Sequence, residues 1–234
     1  MTDLRVAPDA GAAAREAAAW LAAQVRNAAR RRGMALVALS GGATPIAMLS
    51  ALAGLDVPWA DFHVWQVDER VAPDDDPARN SAMLELLPLR RENVHLMPVT
   101  AVGLLSAAWQ YAVTLPQRFD VVHLGLGEDG HTASWPPGDG VVDSPYRVAL
   151  CAEYRGHVRM TITPRVVNGA RRRLLLVTGP AKAEPIRRWF LDDPKLPVHR
   201  VRRSDTVVIV DAAAAAALPP RLASVANDGH LDHT

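Results

Sequence analysis

The chain has 234 residues, of which 49% are apolar, and 26 basic against 25 acidic side chains leave a net charge of +1. That supplies the core of one large α/β domain and excludes a strongly charged surface built for nucleic acid or another polyanion. A single cysteine, Cys151, excludes an internal disulfide and fits a reducing compartment.

The N-terminal stretch carries no apolar h-region and no apolar run approaches a membrane span, so neither a signal peptide nor a membrane contact is expected. The expected location is the cytoplasm. No Gly/Ser-rich or charge-run linker interrupts the chain, which predicts one α/β domain over residues 1–223 and a polar tail over 224–234.

In chain order, the Ala-rich segment from Asp9 to Arg32 reads as one long helix, with Asp9 as its cap and Gly33 as its stop. Arg30, Arg31 and Arg32 suit its last turn, where cations complement the dipole. Met34–Leu39 is a short continuous apolar run, the pattern of a strand buried on both faces. Ser40-Gly41-Gly42 follows, and Thr44-Pro45 opens a second helix with Thr44 as cap and Pro45 at the first position.

The strand–turn–helix rhythm then repeats. Phe62–Val67 runs into Asp68-Glu69-Arg70, and Phe119–Gly127 into Glu128-Asp129-Gly130-His131. Arg172–Gly179 leads into Pro180-Ala181-Lys182, and Thr206–Val210 is a last strand followed by a poly-Ala helix capped by Asp211. Arg147–Glu153 and His157–Thr163 break the rhythm as a pair of antiparallel or peripheral strands. Trp20 and Trp109 fall on helices and are expected in the core. The predicted fold is three-layer α/β/α and Rossmann-like, a mainly parallel sheet with helices on both faces.

Four polar groups lie just after strands: Ser40-Gly41-Gly42, Asp68-Glu69-Arg70, Asp129-Gly130-His131 and Gly179–Lys182. The carboxyl ends of parallel strands share one edge, where ligands bind, so these groups are expected to converge. The glycine turn before a helix N-terminus suits an anion such as phosphate; it equally suits an ordinary tight turn. His131 can serve as a general base with Asp129 orienting its ring, or it is a surface histidine on a Gly-rich turn. Arg70 can hold a phosphate, or the acidic pair and Arg70 form an internal ion pair. Arg159 and Lys182 are candidate counter-charges. No H-E-x-x-H or paired C-x-x-C spacing exists, so no metal is expected, and no G-x-S-x-G elbow exists.

Five motifs in order, LSGGATP (Leu39–Pro45), WQVDER (Trp65–Arg70), LGLGEDGHTAS (Leu124–Ser134), RMTIT (Arg159–Thr163) and GPAKAE (Gly179–Glu184), together resemble the 6-phosphogluconolactonases. The resemblance implies a fold related to glucosamine-6-phosphate deaminases and ribose-5-phosphate isomerases, and no cofactor. It implies a catalytic His131 supported by Asp129. It also implies a sugar-phosphate site over Ser40, Gly41, Gly42, Thr44, Asp68, Arg70, Gly130, Arg159 and Lys182. Asn168 matches a recurring, structural asparagine. Two departures stand out: Trp135-Pro136-Pro137 follows the histidine motif where Leu-Phe-Pro is usual, which is expected to alter the pocket wall, and Ala78-Arg79-Asn80 carries an extra arginine, near the site or facing solvent.

The implied reaction is attack of water on the lactone of a six-carbon sugar phosphate, with His131 taking and returning a proton and a cation or a backbone N–H holding the oxyanion. The only partner implied besides this small molecule is transient association with the lactone-producing dehydrogenase. A deaminase on the same fold would carry an acid soon after the histidine, and Thr132–Gly138 has none. A silent sugar-phosphate sensor would not need the base.

Overall fold

The computed structural model describes residues 2–220 and Leu222. The apolar runs become strands of a seven-stranded, all-parallel sheet: β1 (Asp3–Ala7), β2 (Ala35–Leu39), β3 (Phe62–Gln66), β5 (Val94–His95), β6 (Val121–Leu124), β9 (Arg172–Val177) and β10 (Thr206–Asp211), in the order β1-β10-β9-β6-β2-β3-β5. β4 (Asp68–Arg70), β7 (Val148–Tyr154) and β8 (His157–Ile162) form a second, antiparallel sheet in the order β4-β8-β7.

Side chains alternate across the main sheet, and both faces are covered. Val37, Leu39, Leu174, Leu176, Val207 and Ile209 meet α1 (Ala10–Arg32) and α2 (Ala43–Ala53). Their neighbours Ala38, Leu175, Val177, Val208 and Val210 belong to the opposite core. That core takes in α3 (Leu104–Thr114), α4 (Pro164–Gly169), α5 (Ala183–Phe190), α6 (Ala212–Ala215) and the small sheet. A strand buried on both faces has no polar side to show, which is why these segments read as unbroken apolar runs. The protein is therefore a three-layer α/β/α fold.

The long helix ends as expected: the Asp9 carboxylate accepts from Ala12 N–H at 2.7 Å, and Gly33 closes the other end at φ 77°. Asp211 likewise caps α6 through Ala214 N–H. Thr44 does not cap α2. The N-cap is Gly42, no side chain bonds the first turn, and the Thr44 hydroxyl lies 3.1 Å from that of Thr178.

Asp68-Glu69-Arg70 does not simply end β3. The chain leaves the main sheet at Val67, whose N–H bonds Leu39 O and whose carbonyl accepts from Ile162 N–H, so one residue joins both sheets. Trp109 is not a core residue: it stands on the outer face of α3, 68% exposed. β1 carried no sequence signal beyond alternation, and its pairing with β10 places it at the sheet edge. Residues 224–234, expected to form a tail, lie outside the described residues. Among the described residues no helix is long and apolar enough to cross a membrane.

Candidate active site

The strand ends converge on a cleft of about 320 Å³ at the carboxyl edge of the sheet. Ser40, Gly41, Gly42 and Thr44 border it from the β2–α2 turn, Asp68 and Arg70 from β4, Arg159 from β8, and His131 and Lys182 from the turns after β6 and β9. Two glycines permit this approach. A methyl group on Gly41 would sit 1.9 Å from Asn80 Oδ1, and one on Gly127 would sit 1.9 Å from His131 Nδ1. Only a residue without Cβ leaves room for the asparagine and the imidazole there.

His131 is held rigidly. Its Nδ1 lies 2.6 Å from Asp129 Oδ1, and the Tyr154 hydroxyl donates to Asp129 Oδ2. The Tyr154 ring packs edge-on against the imidazole, with centroids 5.3 Å apart. Burial pushes the Asp129 carboxyl up, but hydrogen bonds from Tyr154 and His131 and the nearby imidazole outweigh it and hold the group at about 2. Asp129 is thus ionised at neutral pH and fixes the proton on Nδ1, leaving the Nε2 lone pair available. Burial, then the Asp129 carboxylate, pushes Tyr154 up to about 12, so its hydroxyl stays a donor.

Arg70 and Arg159 face each other across β4 and β8 as direct register partners. Arg159 is buried and Arg70 half-buried, with Arg70 Nη1 donating to Ala78 O, and the Nε of each is buried without a hydrogen-bond partner among the described residues. Burial, then repulsion from Arg70, lowers the Arg159 pKa. A guanidinium cannot neutralise itself at physiological pH, so two of them side by side attract an anion. Asp68 offsets part of this charge while bridging the walls: Ser134 Oγ donates to Oδ2 at 2.6 Å and Ser40 Oγ lies 3.5 Å from Oδ1. Lys182 adds a further cation, 3.5 Å from Glu128 Oε1. The cleft also lies at the first turn of α2, whose N–H groups lack a side-chain cap.

Several expected residues take other places. Asp129 and Gly130 do not border the cleft. Asp129 stands behind His131, and Gly130, at φ 82°, packs on Leu196 and accepts from Val198 N–H. Trp135 does not shape the pocket wall; it is fully buried in the core with Nε1 donating to Ile162 O. Arg79 neither adds charge to the cleft nor faces solvent. Its Nε lies 3.2 Å from Glu69 Oε2, an ion pair without hydrogen-bond alignment, and Nη1 reaches Ala72 O and Asp74. Glu69 also accepts from the N–H groups of Arg70, Asn80 and Ser81, so the pair pins the 71–81 loop. Asn168 is structural, clamping Arg200 O and Arg202 N–H.

Sequence reasoning missed Tyr154, Arg155 and Asn80. Tyr154 and Arg155 stand at the hairpin tip between β7 and β8, where Arg155 and Gly156 both adopt positive φ, as a two-residue turn requires. Arg155 borders the cleft with its guanidinium 5.2 Å over the Tyr154 ring. The Arg-Gly pair between two expected strands was the available signal for a turn; that its tip leans over His131 was not in the sequence.

Fold and site define a class: a parallel α/β enzyme with a cationic cleft and a carboxylate-supported histidine at the carboxyl edge of its sheet. The chain belongs to the Glucosamine-6-phosphate isomerases/6-phosphogluconolactonase family, which matches residues 8–210. It is 32% identical over 182 residues to a 6-phosphogluconolactonase of Synechocystis, covering 71% of this chain and 76% of that protein. It is 36% identical over 177 residues to the rabbit GDH/6PGL endoplasmic bifunctional protein, covering 68% of this chain and 22% of that longer one. The crystal structure of a 6-phosphogluconolactonase from Shewanella baltica superposes with a TM-score of 0.83 at 26% identity, covering 91% of this chain and 98% of that one.

Proposed function

We propose that this protein hydrolyses 6-phosphoglucono-1,5-lactone to 6-phosphogluconate, the lactone-opening step of the oxidative pentose phosphate pathway. The observation that carries the reading is one cleft holding both a base and an anion site: His131 backed by Asp129, and the Arg70–Arg159 pair, whose Nε atoms are buried without a partner among the described residues. The named relatives supply the substrate.

In this mechanism the phosphate lies among Arg70, Arg159, Lys182 and the α2 first turn, and its binding positions the carbonyl. His131 Nε2 takes a proton from water as the oxygen attacks C1. The tetrahedral intermediate collapses, the C1–ring-oxygen bond breaks, and the imidazolium returns the proton to the departing ring oxygen, which becomes a hydroxyl. Asp129 stays ionised throughout and supports the imidazolium. Cys151 takes no part: its thiol is buried and burial pushes it up to about 11. The two-function rabbit relative supports coupling to an enzyme that supplies the lactone.

The test is hydrolysis of freshly generated lactone above its spontaneous rate. His131→Ala is expected to lower kcat by roughly 10²–10⁴ with the fold intact. Turnover that survives in the variant removes His131 as the base. No rate above background from the folded wild type removes the substrate assignment.

A further inference from the structure

From Leu96 to Gln117 the sequence contains no charged residue. The helix at the centre of that stretch, α3, carries one polar stripe, Ser106, Gln110 and Thr114, and is otherwise apolar, so its apolar surface extends well beyond the face that meets the core. Only one side is covered: Ala107, Ala108 and Tyr111 enter the core. On the opposite side Leu105, Trp109 and Val113 are 77%, 68% and 66% exposed, and Val102 extends the same stripe. The groove beside them, about 840 Å³, is floored by small residues, Ala108 and Ala112, and walled by Tyr146 and Leu150.

We propose that this face is a two-fold interface between two copies of the chain, with Trp109 of each copy as its anchor. A second copy suits the face because the face suits itself. A two-fold axis sets the same patch against itself; the stripe itself carries no charge, and the two arginines that also line the groove are turned onto backbone carbonyls, Arg147 onto Ala112, Leu115 and Pro116 and Arg165 onto Pro145. The stripe at positions 105, 109 and 113 is an i±4 ridge, the kind that interdigitates with its own copy at a crossing angle of about −50°. Antiparallel crossing also sets the two helix dipoles head to tail. The small side chains of Ala108 and Ala112 leave beside the ridge a slot into which an indole fits.

Area agrees. Val102, Leu105, Trp109, Val113 and Tyr146 together expose on the order of 600 Å², with aromatic side chains of roughly 150–250 Å² each. A stable dimer buries about 800 Å² per partner, the rest coming from a polar rim. The cleft at the carboxyl edge of the sheet includes none of these five residues, so both copies remain competent.

Sedimentation velocity from about 10 nM to 100 µM covers the weaker end of the µM-to-pM range in which interfaces of this size associate. Wild type is expected to shift from monomer to dimer across it. Trp109→Asp is expected to weaken dimerisation by roughly 30-fold or more, as loss of an anchoring residue does, and Leu105→Glu to act likewise. Circular dichroism and lactone turnover at wild-type level establish that each variant is folded. A wild-type monomer at every concentration overturns the proposal and leaves the face to a different protein. A dimer that persists in both folded variants also overturns it, since the contact then lies elsewhere.

Discussion

His123 stands in the middle of β6, fully buried, and neither ring nitrogen has a hydrogen-bond partner among the described residues. Burial lowers its pKa from 6.5 to about 4. The folded chain therefore holds a neutral imidazole while the unfolded chain protonates it below about 6.5. Over that interval the unfolded state binds more protons, so stability falls as pH falls from about 6.5 to about 4 and then levels. The full loss is about 3 kcal/mol, and about 2.5 kcal/mol of it has appeared by pH 4.5. Asp129 contributes in a different window: its pKa is depressed, so its contribution is lost only as pH falls below about 4 towards 2. His123→Leu keeps a side chain of similar size and removes two unsatisfied nitrogens. Urea unfolding of wild type and variant at pH 7 and 4.5 isolates the difference. The variant is expected to lose about 2.5 kcal/mol less than wild type between those two pH values. Equal losses in the two proteins, or an imidazole resonance of His123 titrating near 6.5 in the folded state, would refute the reasoning.

Tyr154→Phe removes a donor from Asp129 without touching the cleft's phosphate groups; kcat is expected to fall about tenfold with KM nearly unchanged, since only the support of the imidazolium is weakened. Steady-state kinetics at saturating and limiting lactone separate the two, and a rise confined to KM would instead put Tyr154 on the substrate. Arg159→Ala is expected to raise KM by roughly 10- to 100-fold, the cost of a lost charged hydrogen bond, and to weaken inhibition by inorganic phosphate in parallel. Unaltered phosphate inhibition would mean that the anion is held elsewhere. Gly127→Ala would drive a methyl into the His131 ring, so turnover is expected to collapse while circular dichroism stays close to wild type.

The strands and the βα turns were legible because parallel sheets impose a local signal: a short apolar run on the strand, then glycine and polar residues at its carboxyl end. Once that repeat was read, convergence of Ser40, Asp68, His131 and Lys182 followed from topology alone. The small sheet was legible only in part. Its pairing of Arg70 with Arg159 depends on β4 leaving the main sheet at Val67, and no local pattern marks that departure. Tyr154 was hidden for a similar reason, since a register irregularity between Cys151 and Tyr154 sets where the hairpin tip falls. Trp109 was misjudged because an apolar helix reads as buried whether its second face is covered by the same chain or left to another.

The two departures from the family's usual motifs carry a common physical lesson. Trp135 and Arg79 both flank segments that border the cleft, and a large aromatic or a cation beside a site invites a reading in terms of substrate. Each instead answers a demand of the scaffold. The segment from His131 to Ser134 must turn sharply, with Ala133 at φ 50°, and such strain persists only where neighbouring contacts hold it. Trp135 supplies that hold, burying its whole ring and tying Nε1 to Ile162 O in β8. The 71–81 loop must bring Asn80 against Gly41, and Arg79 with Glu69 secures it from behind. In both places chain packed away from the cleft keeps a cleft residue in position, so a change there would reach turnover only through the geometry of His131 or Asn80.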